Sequence, residues 1–588
     1  MRFESNGDSR KEVHTIVKIN DLAGARQFSR LGFDYNRAFQ QVEIPLVKIS
    51  HANGGTSEIL PSAITDAPNP AVQDFPAYHD VRVKSVRILG LQDGDTIEYR
   101  VITTTTKHPL APDFWLEHTF DRSGQVTEEV YELDLPAELQ VRQKISKETP
   151  ASSVDNSQSN PKRTIYGWNL FSKNFTAEAH RQGQQDPDLV LTTFRTWGDI
   201  QVRLGFNLSY AIVTPELKTR AKQLTQFAKN SVDAIRFLYD HVSTQIRTVD
   251  LPLSATGYTI RDPVEVLSSK YATEEEKCAL LSLLISTLAD DSFTESRLVF
   301  VAGLSESELP RPTLFAHAVV VVLVSNRERD IWLDPSVEVA PFGMIPAQLR
   351  GRNTLGVSPE DHISLKTIPL TLPFAPFQKA EIGAAISTDG SLKAEVKYLM
   401  RGDNELLLRE AFRQAPKERW KEVAGLLALS DGFRGTITNV TASDPMATKE
   451  PFTVEYEITQ AKFVDWSKKP VRIPALLPQI ALPDAPGKTA GKIELGTPLD
   501  VQTSLKLQLP EGTTVQTPAA TSVARDYATF VSKYDGHLNT VSVSRHINFL
   551  KREIPAERAA DYNAFLRAVQ NDQAQVIVLL PQELGTKN

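Results

Sequence analysis

The amino-acid sequence predicts a multidomain α+β protein that has an N-terminal antiparallel β-sandwich, a central α+β core and a C-terminal β-rich region. Three observations predict this fold class. The chain of 588 residues is long enough to hold several domains. Apolar and polar residues alternate with period two in residues 1–195 and again in residues 366–588. Residues 196–365 instead combine helical spacing with short apolar strands, so we place the domains at these three ranges.

The N-terminal part contains segments with the composition of strands. They are rich in β-branched residues and cover residues 14–19, 42–49, 78–88 and 95–106. Asn53-Gly54-Gly55 and Asp93-Gly94-Asp95 have the chemistry of tight turns. Strands separated by such turns are typical of an antiparallel β-sandwich.

The central part begins with predicted helices. Thr214 followed by Pro215 indicates a helix start, because the Thr side chain caps the helix and proline suits its first turn. We expect Ser231 to cap a second helix and a third helix to start near Thr273. Strands are predicted after them, at residues 297–303, 315–324 and 330–336.

The C-terminal part returns to strands. Residues 382–403 predict a hairpin with Asp389-Gly390 at its turn. We expect one helix near residues 404–425, a further helix near residues 555–571 and a last strand at residues 574–580.

Composition excludes several classes of partner. The formal net charge of −7 favours neither nucleic acid nor a membrane surface. The one cysteine, Cys278, excludes an intrachain disulfide and a cysteine-based metal site. Neither a phosphate-binding glycine loop nor a zinc-binding helix motif occurs in the sequence, so we expect no cofactor and no metal ion.

The sequence also bears on location. Its apolar runs are shorter than the roughly 18 residues that a transmembrane helix needs, so we expect no transmembrane segment. The first residues, MRFESNGDSRKEVHTIVKI, lack the apolar stretch of a signal peptide. We expect export to the periplasm or cell surface if a leader precedes this start, and a cytoplasmic location otherwise.

Two residues in the predicted strands of the core have side chains suited to proton transfer. His317 lies inside the apolar segment FAHAVVV, and Asp334 ends the next strand in IWLDPS. An imidazole takes up and returns a proton, and a carboxylate behind it fixes its orientation. Residues 261–286, RDPVEVLSSKYATEEEKCALLSLLIS, precede both and lead into the third predicted helix.

These segments resemble the core of bacterial transglutaminase-like proteins, which have a papain-like cysteine fold. In that family a Cys at a helix start attacks the acyl carbon, and a later His and Asp complete the triad. The family reads there as a Tyr or similar residue, then Gly-Asp-Cys-Lys-Asp-Lys, a small residue and two leucines. When Tyr271 and Leu280-Leu281 are set on those anchors, Glu274 falls on the Cys. The resemblance implies that His317 and Asp334 belong to a degenerate triad whose nucleophile position holds Glu274.

The flanking segments extend the resemblance over nearly the whole chain. Residues 76–101 resemble the β-sandwich domain of unknown function that precedes such cores in exported bacterial proteins. Residues 389–410 and 547–569 resemble the tail of the same proteins. The resemblance therefore implies a bacterial, exported protein with this domain order.

Glu274 and Cys278 each have a structural interpretation beside the functional one. Thr273 and Glu276 match a capping box, so Glu274 is explained as part of a helix start near a favourable dipole. Cys278 lies one turn deeper, on an apolar stripe with Leu281, and is explained as a buried core residue. The functional interpretations are a Glu274–His317–Asp334 cluster and a displaced nucleophile at Cys278.

The sequence leads to a hypothesis of a pseudoenzyme, a degenerate transglutaminase-like protein that binds or scaffolds a peptide or glycan without catalysis. The alternative is an active cysteine protease, amidase or transglutaminase that uses Cys278 with His317 and Asp334, which requires the thiol within about 4 Å of the imidazole. A further alternative is a hydrolase in which Glu274 activates water as a general base.

Overall fold

The computed structural model divides the chain into two compact units. The first comprises Met1–Ser336 and Arg352–Ile368, and the second comprises Val337–Gly351 and Pro369–Asn588. The structure describes residues 1–122, 125–147, 149–155, 162–171, 186–209, 213–288, 293–302, 308–324, 330–357, 365–483 and 491–580. The division of the chain into three domains at residues 195 and 365 stays a prediction.

The N-terminal part of the first unit is built mainly of strands. It contains β1 (Arg2–Phe3), β2 (Ser9–Lys18), α1 (Leu22–Gln27), β3 (Arg30–Asn36), β4 (Gln40–Ser50), β5 (Thr56–Glu58), β6 (Ile64–Pro68), β7 (Val81–Arg87), β8 (Thr96–Thr105), β9 (Trp115–His118), β10 (Glu128–Pro136), β11 (Arg142–Ile145), β12 (Ser153–Asp155), β13 (Arg163–Phe171) and β14 (Leu189–Thr192). The largest sheet has the order β12-β13-β10-β1-β2-β8-β4-β5. Its pairs are antiparallel except for β1 with β10, which is parallel. The predicted N-terminal strands are present as β2, β4, β7 and β8.

The rest of the first unit combines helices with one five-stranded sheet. It contains α2 (Trp197–Leu208), α3 (Pro215–Leu224), α4 (Ser231–Gln245), β15 (Arg247–Thr248), α5 (Pro263–Ser269), β16 (Tyr271–Ala272), α6 (Glu274–Ser286), β17 (Phe293–Ala302), β18 (Phe315–Val324), β19 (Ile331–Leu333), β20 (Asn353–Gly356) and β21 (Leu365–Thr367). The sheet order is β19-β18-β17-β20-β21, and α6 packs on β17 and β18. From Glu275 to Ile285, nearly every α6 residue is buried, so α6 is the central helix of this part.

Local details of the core differ from the sequence prediction. Thr214 caps α3 as predicted, through a hydrogen bond from the backbone N–H of Leu217. The cap of α4 is Asn230 rather than Ser231, because the Asn230 side chain accepts from the N–H of Asp233. The helices α2 and α5 were not predicted, and Gly303 of the predicted strand 297–303 lies outside the described residues.

The second unit is rich in β structure. It contains β22 (Phe377–Ile386), β23 (Leu392–Arg401), α7 (Asp403–Gln414), α8 (Trp420–Ser430), β24 (Thr436–Ala442), β25 (Phe452–Gln460), β26 (Val471–Pro474), β27 (Lys492–Glu494), β28 (Leu499–Gln508), β29 (Thr514–Gln516), β30 (Thr521–Ala524), β31 (Ala528–His537), β32 (Thr540–Phe549), β33 (Glu553–Pro555), α9 (Ala559–Gln573) and β34 (Val576–Leu580). The main sheet has the order β24-β25-β23-β22-β28-β32-β31-β30. One of its faces is apolar, and Phe412 of α7 and Ala424 of α8 pack into the same core. The hairpin predicted at residues 382–403 is β22–β23, with Gly390 at positive φ in its turn.

The single helix that we expected near residues 404–425 is two helices. The first ends at Gln414, and Ala415 adopts extended backbone angles before Pro416. A residue that precedes proline avoids the helical conformation because it clashes with the proline ring. Among the described residues, no helix combines the length and apolar character needed to cross a membrane.

Candidate functional site

His317 is the centre of the candidate site and lies on β18, between two other strands of the five-stranded sheet. Its backbone pairs with Val301 on β17, and β19 lies on the other side of β18. Residues 318–322 are all buried, so apolar neighbours fix this strand. The His317 side chain is 18% exposed, which leaves part of the imidazole open to solvent.

Asp334 directly follows β19, and the strand register places it beside His317. In the antiparallel pairing of β18 and β19, Asp334 falls opposite Val319 and therefore on the same face as His317. Asp334 Oδ2 lies 2.7 Å from His317 Nε2. The Asp334 side chain is fully buried, so its carboxylate orients the imidazole in the absence of bulk water.

Ser336 holds the other carboxylate oxygen of Asp334. The Ser336 N–H donates to Asp334 Oδ1 at 3.1 Å, and the Ser336 hydroxyl donates to the same oxygen at 2.6 Å. Sequence reasoning gave Ser336 no role. The spacing Asp334-Pro335-Ser336 was the available signal, because an Asp often accepts from the residue two positions later.

Glu274 completes the cluster from the helix side. It is the first residue of α6, which begins after the N-cap Thr273 as the capping pattern predicts. Because α6 packs on β18, its first turn reaches His317. Glu274 Oε1 lies 2.9 Å from His317 Nδ1, and the backbone N–H of Ala318 donates to the same oxygen. The structure therefore brings together the three residues that the sequence proposed as a degenerate triad.

The two carboxyl groups determine the charge of the imidazole. Burial alone lowers the pKa of His317, but the charges and hydrogen bonds of Asp334 and Glu274 outweigh burial and raise this pKa to about 11. Burial alone raises the pKa of Asp334, but the contact with His317 outweighs it and holds this pKa below its usual range. At neutral pH, an imidazolium therefore faces the Asp334 carboxylate.

The chemistry open to Glu274 is that of a carboxyl group in a partly desolvated site. Burial raises the pKa of Glu274, and its hydrogen bond to His317 offsets this only in part. The Glu274 side chain is 17% exposed, so solvent reaches it. A carboxyl group in this position holds or transfers a proton, but it is a poor acyl acceptor compared with a thiolate.

Cys278, the other nucleophile considered from the sequence, lies inside the core. The residue is fully buried, and burial raises the pKa of its thiol well above the usual value. Within the described structure, no hydrogen bond joins Cys278 to His317. Reactive cysteines are partly exposed and have a lowered pKa, and Cys278 has neither property.

Glu276 and Lys277, which follow Glu274 in the first turn of α6, anchor this helix. The sequence alone did not assign them this role. Lys277 is buried, and its Nζ donates to the carbonyl oxygens of Ser243 at 3.1 Å and Ile246 at 2.8 Å, at the end of α4. Glu276 accepts from Arg261 Nη2 at 2.8 Å and from the hydroxyl of Tyr78. These contacts fix the helix that presents Glu274 to His317.

No metal centre competes with this description in the part of the chain that the structure describes. There, no group of three or more His, Cys, Asp or Glu side chains is arranged to hold a metal ion. Both ring nitrogens of His317 already face carboxylate oxygens, so neither is directed at an open coordination position.

Two models of domains without an assigned function match parts of the chain. Residues 5–172 match DUF3857, a domain of unknown function with a solved structure. Residues 479–579 match DUF3858, a second domain of unknown function with a solved structure. Neither match reaches residues 173–478, which contain Glu274, His317 and Asp334. None of the curated proteins compared is significantly similar to the chain.

The whole chain is similar in fold to a solved structure. This is the crystal structure of a candidate protease from Parabacteroides distasonis, with a TM-score of 0.64 and 15% sequence identity. The similarity covers 98% of this chain and 97% of that one. At this level of identity, the similarity establishes a shared fold.

Proposed function

We propose that the chain is a degenerate transglutaminase-like protein that no longer performs acyl transfer and instead binds or scaffolds a peptide or glycan. One observation carries the proposal. The carboxyl group of Glu274 stands against His317 Nδ1, 2.9 Å away, at the start of a buried helix. Acyl transfer through this kind of triad requires an activated thiol or hydroxyl at that position.

The shared fold supports the ancestry in this proposal. The candidate protease from Parabacteroides distasonis matches the chain over 98% of its length, which includes the region of the cluster. A His317–Asp334 pair that keeps a buried, oriented geometry is consistent with descent from a hydrolytic site. A buried pair of this kind also fixes the ends of β18 and β19, so it retains a structural role after catalysis is lost.

A thiol enzyme that uses Cys278 is the less supported alternative. It would need the Cys278 thiolate next to His317, whereas burial raises the pKa of that thiol and Glu274 stands next to the imidazole. A water-activating hydrolase is favoured by one observation, the raised pKa of Glu274. A general base works best when its pKa lies near the working pH.

The test compares thiol reactivity at residues 274 and 278. We expect iodoacetamide at pH 6 to leave Cys278 of the native protein unlabelled, and to label it after denaturation. In Glu274→Cys, we expect rapid labelling of the new thiol, because the imidazolium of His317 stabilises a thiolate beside it. Peptide mapping by mass spectrometry assigns the label to one cysteine or the other.

The control for this test removes the imidazole. In the double variant Glu274→Cys with His317→Gln, we expect labelling at residue 274 to be at least about tenfold slower, since a thiolate loses its counter-charge. Fast labelling of native Cys278 would overturn the proposal, because that thiol would then be an active nucleophile.

Direct assays address the remaining enzyme hypothesis. We expect no cleavage of a defined mixture of unstructured peptides by the native chain, measured by mass spectrometry. Cleavage that disappears in both Glu274→Gln and His317→Gln would identify a hydrolase with Glu274 as general base, and the non-catalytic proposal would fail.

A further inference from the structure

A second candidate site lies in the second unit, on the exposed face of its eight-stranded sheet. A depression with a volume of about 650 Å³ lies over the strands β22, β28 and β32. Side chains alternate between the two faces of a strand, so the face opposite the apolar core carries Gly383, Ser504, Ser542 and Ser544. We call this depression the trough.

The strand register brings small residues of three adjacent strands together in the floor of the trough, with Lys506 among them. Gly383 on β22 pairs with Lys506 on β28, and Lys506 pairs with Ser542 on β32. One row further along, Ser504 on β28 pairs with Ser544 on β32. Since glycine has no side chain and serine a short one, the surface is low at Gly383, Ser504, Ser542 and Ser544, and the Lys506 side chain stands between Gly383 and Ser542.

Longer charged side chains border this floor on both sides. Glu395 and Lys397 project from β23, and Lys533 and Asp535 project from β31. These two strands are four positions apart in the sheet, which corresponds to about 19 Å at the usual strand spacing. The trough is therefore wide enough for a polymer chain with its substituents.

Two of the three lysines that line the trough differ from the third, because Lys397 makes an ion pair with Glu455. Lys393, just outside the trough, lies 3.6 Å from Glu457 in an ion pair. Lys506 and Lys533 are exposed, and within the described residues neither makes an ion pair or a side-chain hydrogen bond. Two unpaired ammonium groups thus flank the hydroxyl groups of Ser542 and Ser544.

The chemistry of the trough excludes the common modes of peptide binding. An amphipathic helix needs apolar side chains in its groove, and an added strand needs a free sheet edge. The outward side chains of the floor are not apolar, and the backbone groups of its strands are paired in the ladder. A neutral sugar stacked on an aromatic ring is also disfavoured, because none of the described residues that line the trough is aromatic.

We propose that the trough binds an acidic oligosaccharide. Its acid groups would pair with Lys506 and Lys533, because ammonium groups donate charge-assisted hydrogen bonds to carboxylate or sulfate oxygens. Its hydroxyl groups would donate to Glu381, Glu395 and Asp535, because ionised carboxylates only accept. The proposal rests on the second unit alone and is independent of the state of Glu274.

The overall charge of the chain does not attract an acidic saccharide. The formal net charge is −7, so the protein as a whole repels polyanions. Binding of an acidic saccharide would therefore depend on the local pair of lysines, and its affinity would fall as salt screens that attraction.

The experiment titrates the full chain with α-1,4-linked hexagalacturonate by isothermal titration calorimetry at low ionic strength. We expect saturable binding, and none with the neutral hexasaccharide maltohexaose. In the double variant Lys506→Gln/Lys533→Gln, we expect hexagalacturonate to bind at least about tenfold more weakly than to the native chain, since two charge-assisted contacts are lost. The matched control is Lys379→Gln with Lys393→Gln, which changes the net charge equally but lies outside the trough, and we expect it to bind like the native chain.

A steric variant separates shape from charge. A Cβ atom added at Gly383 meets no atom within 4 Å, so Gly383→Leu fits the fold and fills the floor. We expect this variant to weaken hexagalacturonate binding without any change in charge.

Three results would overturn the proposal. The first is no binding by the native chain. The second is an equal loss in the trough and control variants, which would indicate unspecific charge attraction. The third is binding of a hexaglutamate peptide as tightly as hexagalacturonate, which would assign the trough to acidic peptides.

Discussion

Three consecutive glutamates at the start of α6 have three different environments. Glu274 faces His317, and Glu276 is paired with Arg261 at 2.8 Å. Glu275 lies between them and is buried, and neither of its carboxylate oxygens has a hydrogen-bond partner within the described residues. Burial, together with the nearby charge of Glu274, raises the pKa of Glu275 to about 8. At neutral pH, the Glu275 carboxyl group is therefore protonated and uncharged, and it lies between the ionisable side chains of Glu274 and Glu276.

This pKa makes the stability of the protein depend on pH. An acid with a raised folded-state pKa holds its proton more tightly when folded, so its contribution to stability falls as pH rises from about 4.3 to the folded value. We expect Glu275→Gln to raise the unfolding temperature above that of the native sequence at pH 8. The advantage should grow by at most about 1.4 kcal/mol per pH unit over that window. Calorimetry at pH 5.5 and pH 8 measures it.

Glu138→Gln is the matched control for this change, because Glu138 is exposed in the same unit. We expect it to leave the unfolding temperature nearly unchanged at both pH values. If Glu275→Gln lowered the unfolding temperature at pH 8, Glu275 would have a stabilising partner as a carboxylate, contrary to the description above.

From the sequence, the capping box singled out Glu276, and the family resemblance grouped Glu274 with His317 and Asp334. Neither argument predicted that Arg261 and Tyr78 contact Glu276. Tyr78 is 198 residues away from Glu276 in the chain. His317 and Asp334 were identified because their order and spacing match the family that the sequence resembles, whereas the support from Tyr78 leaves no local pattern.

At the scale of elements, α6 is held by residues of the N-terminal part as well as by its own sheet. The Tyr78 hydroxyl donates to Glu276 and accepts from the Thr273 N–H at 2.9 Å and from Arg261 at 2.8 Å. The Arg261 guanidinium lies 4.7 Å from the centre of the Tyr78 ring and 4.9 Å from that of Tyr271. The first turn of α6, and with it Glu274, is thus positioned by one buried network.

We expect Tyr78→Phe to loosen this first turn. Removal of the hydroxyl leaves the buried Thr273 N–H and the Glu276 carboxylate each short of one partner, which costs about 1–3 kcal/mol. Hydrogen–deuterium exchange should show faster exchange in residues 273–278, and the unfolding temperature should fall.

Tyr35→Phe provides the comparison for this variant. The Tyr35 hydroxyl donates to Asp66 at 2.6 Å in an exposed setting, where water replaces the lost partner. We expect only a small effect on stability and no change in exchange at residues 273–278. Equal effects of the two substitutions would show that the Tyr78 network does not position α6.

Helices could be predicted where the sequence carries a clear capping pattern or a clear apolar period. Thr214-Pro215 and the Thr273 capping pattern marked the starts of α3 and α6, because caps act within one turn. The short helix α5 was missed, since its seven residues carry too few turns for a clear period. The prediction of one helix at residues 404–425 was wrong. The apolar spacing of the sequence continues across Pro416, but the backbone cannot stay helical at the residue before this proline.

At the scale of the whole molecule, the N-terminal sheet domain and the core share apolar contacts. One buried cluster contains Val72, Phe75 and Tyr78 from the N-terminal part and Val249 from the core, with Tyr271 packed against it. Asn36 also donates from its side chain to the carbonyl oxygen of Ala255 at 2.8 Å. Contacts of this kind couple the unfolding of two regions, even where the sequence suggests a boundary between them.

This coupling affects how many parts of the chain unfold independently. Ile97 lies in the N-terminal sheet, Leu238 in α4 and Leu507 in β28, and all three are 0% exposed. Replacement of each by Ala removes a similar apolar volume and costs about 2–5 kcal/mol in the part that contains it. Because the first unit includes both Ile97 and Leu238, we expect these two variants to lower the same calorimetric transition, and Leu507→Ala to lower a different one. If Ile97→Ala and Leu238→Ala lowered separate transitions, the boundary near residue 195 would divide independent domains, and the shared cluster around Tyr78 would contribute too little to couple them.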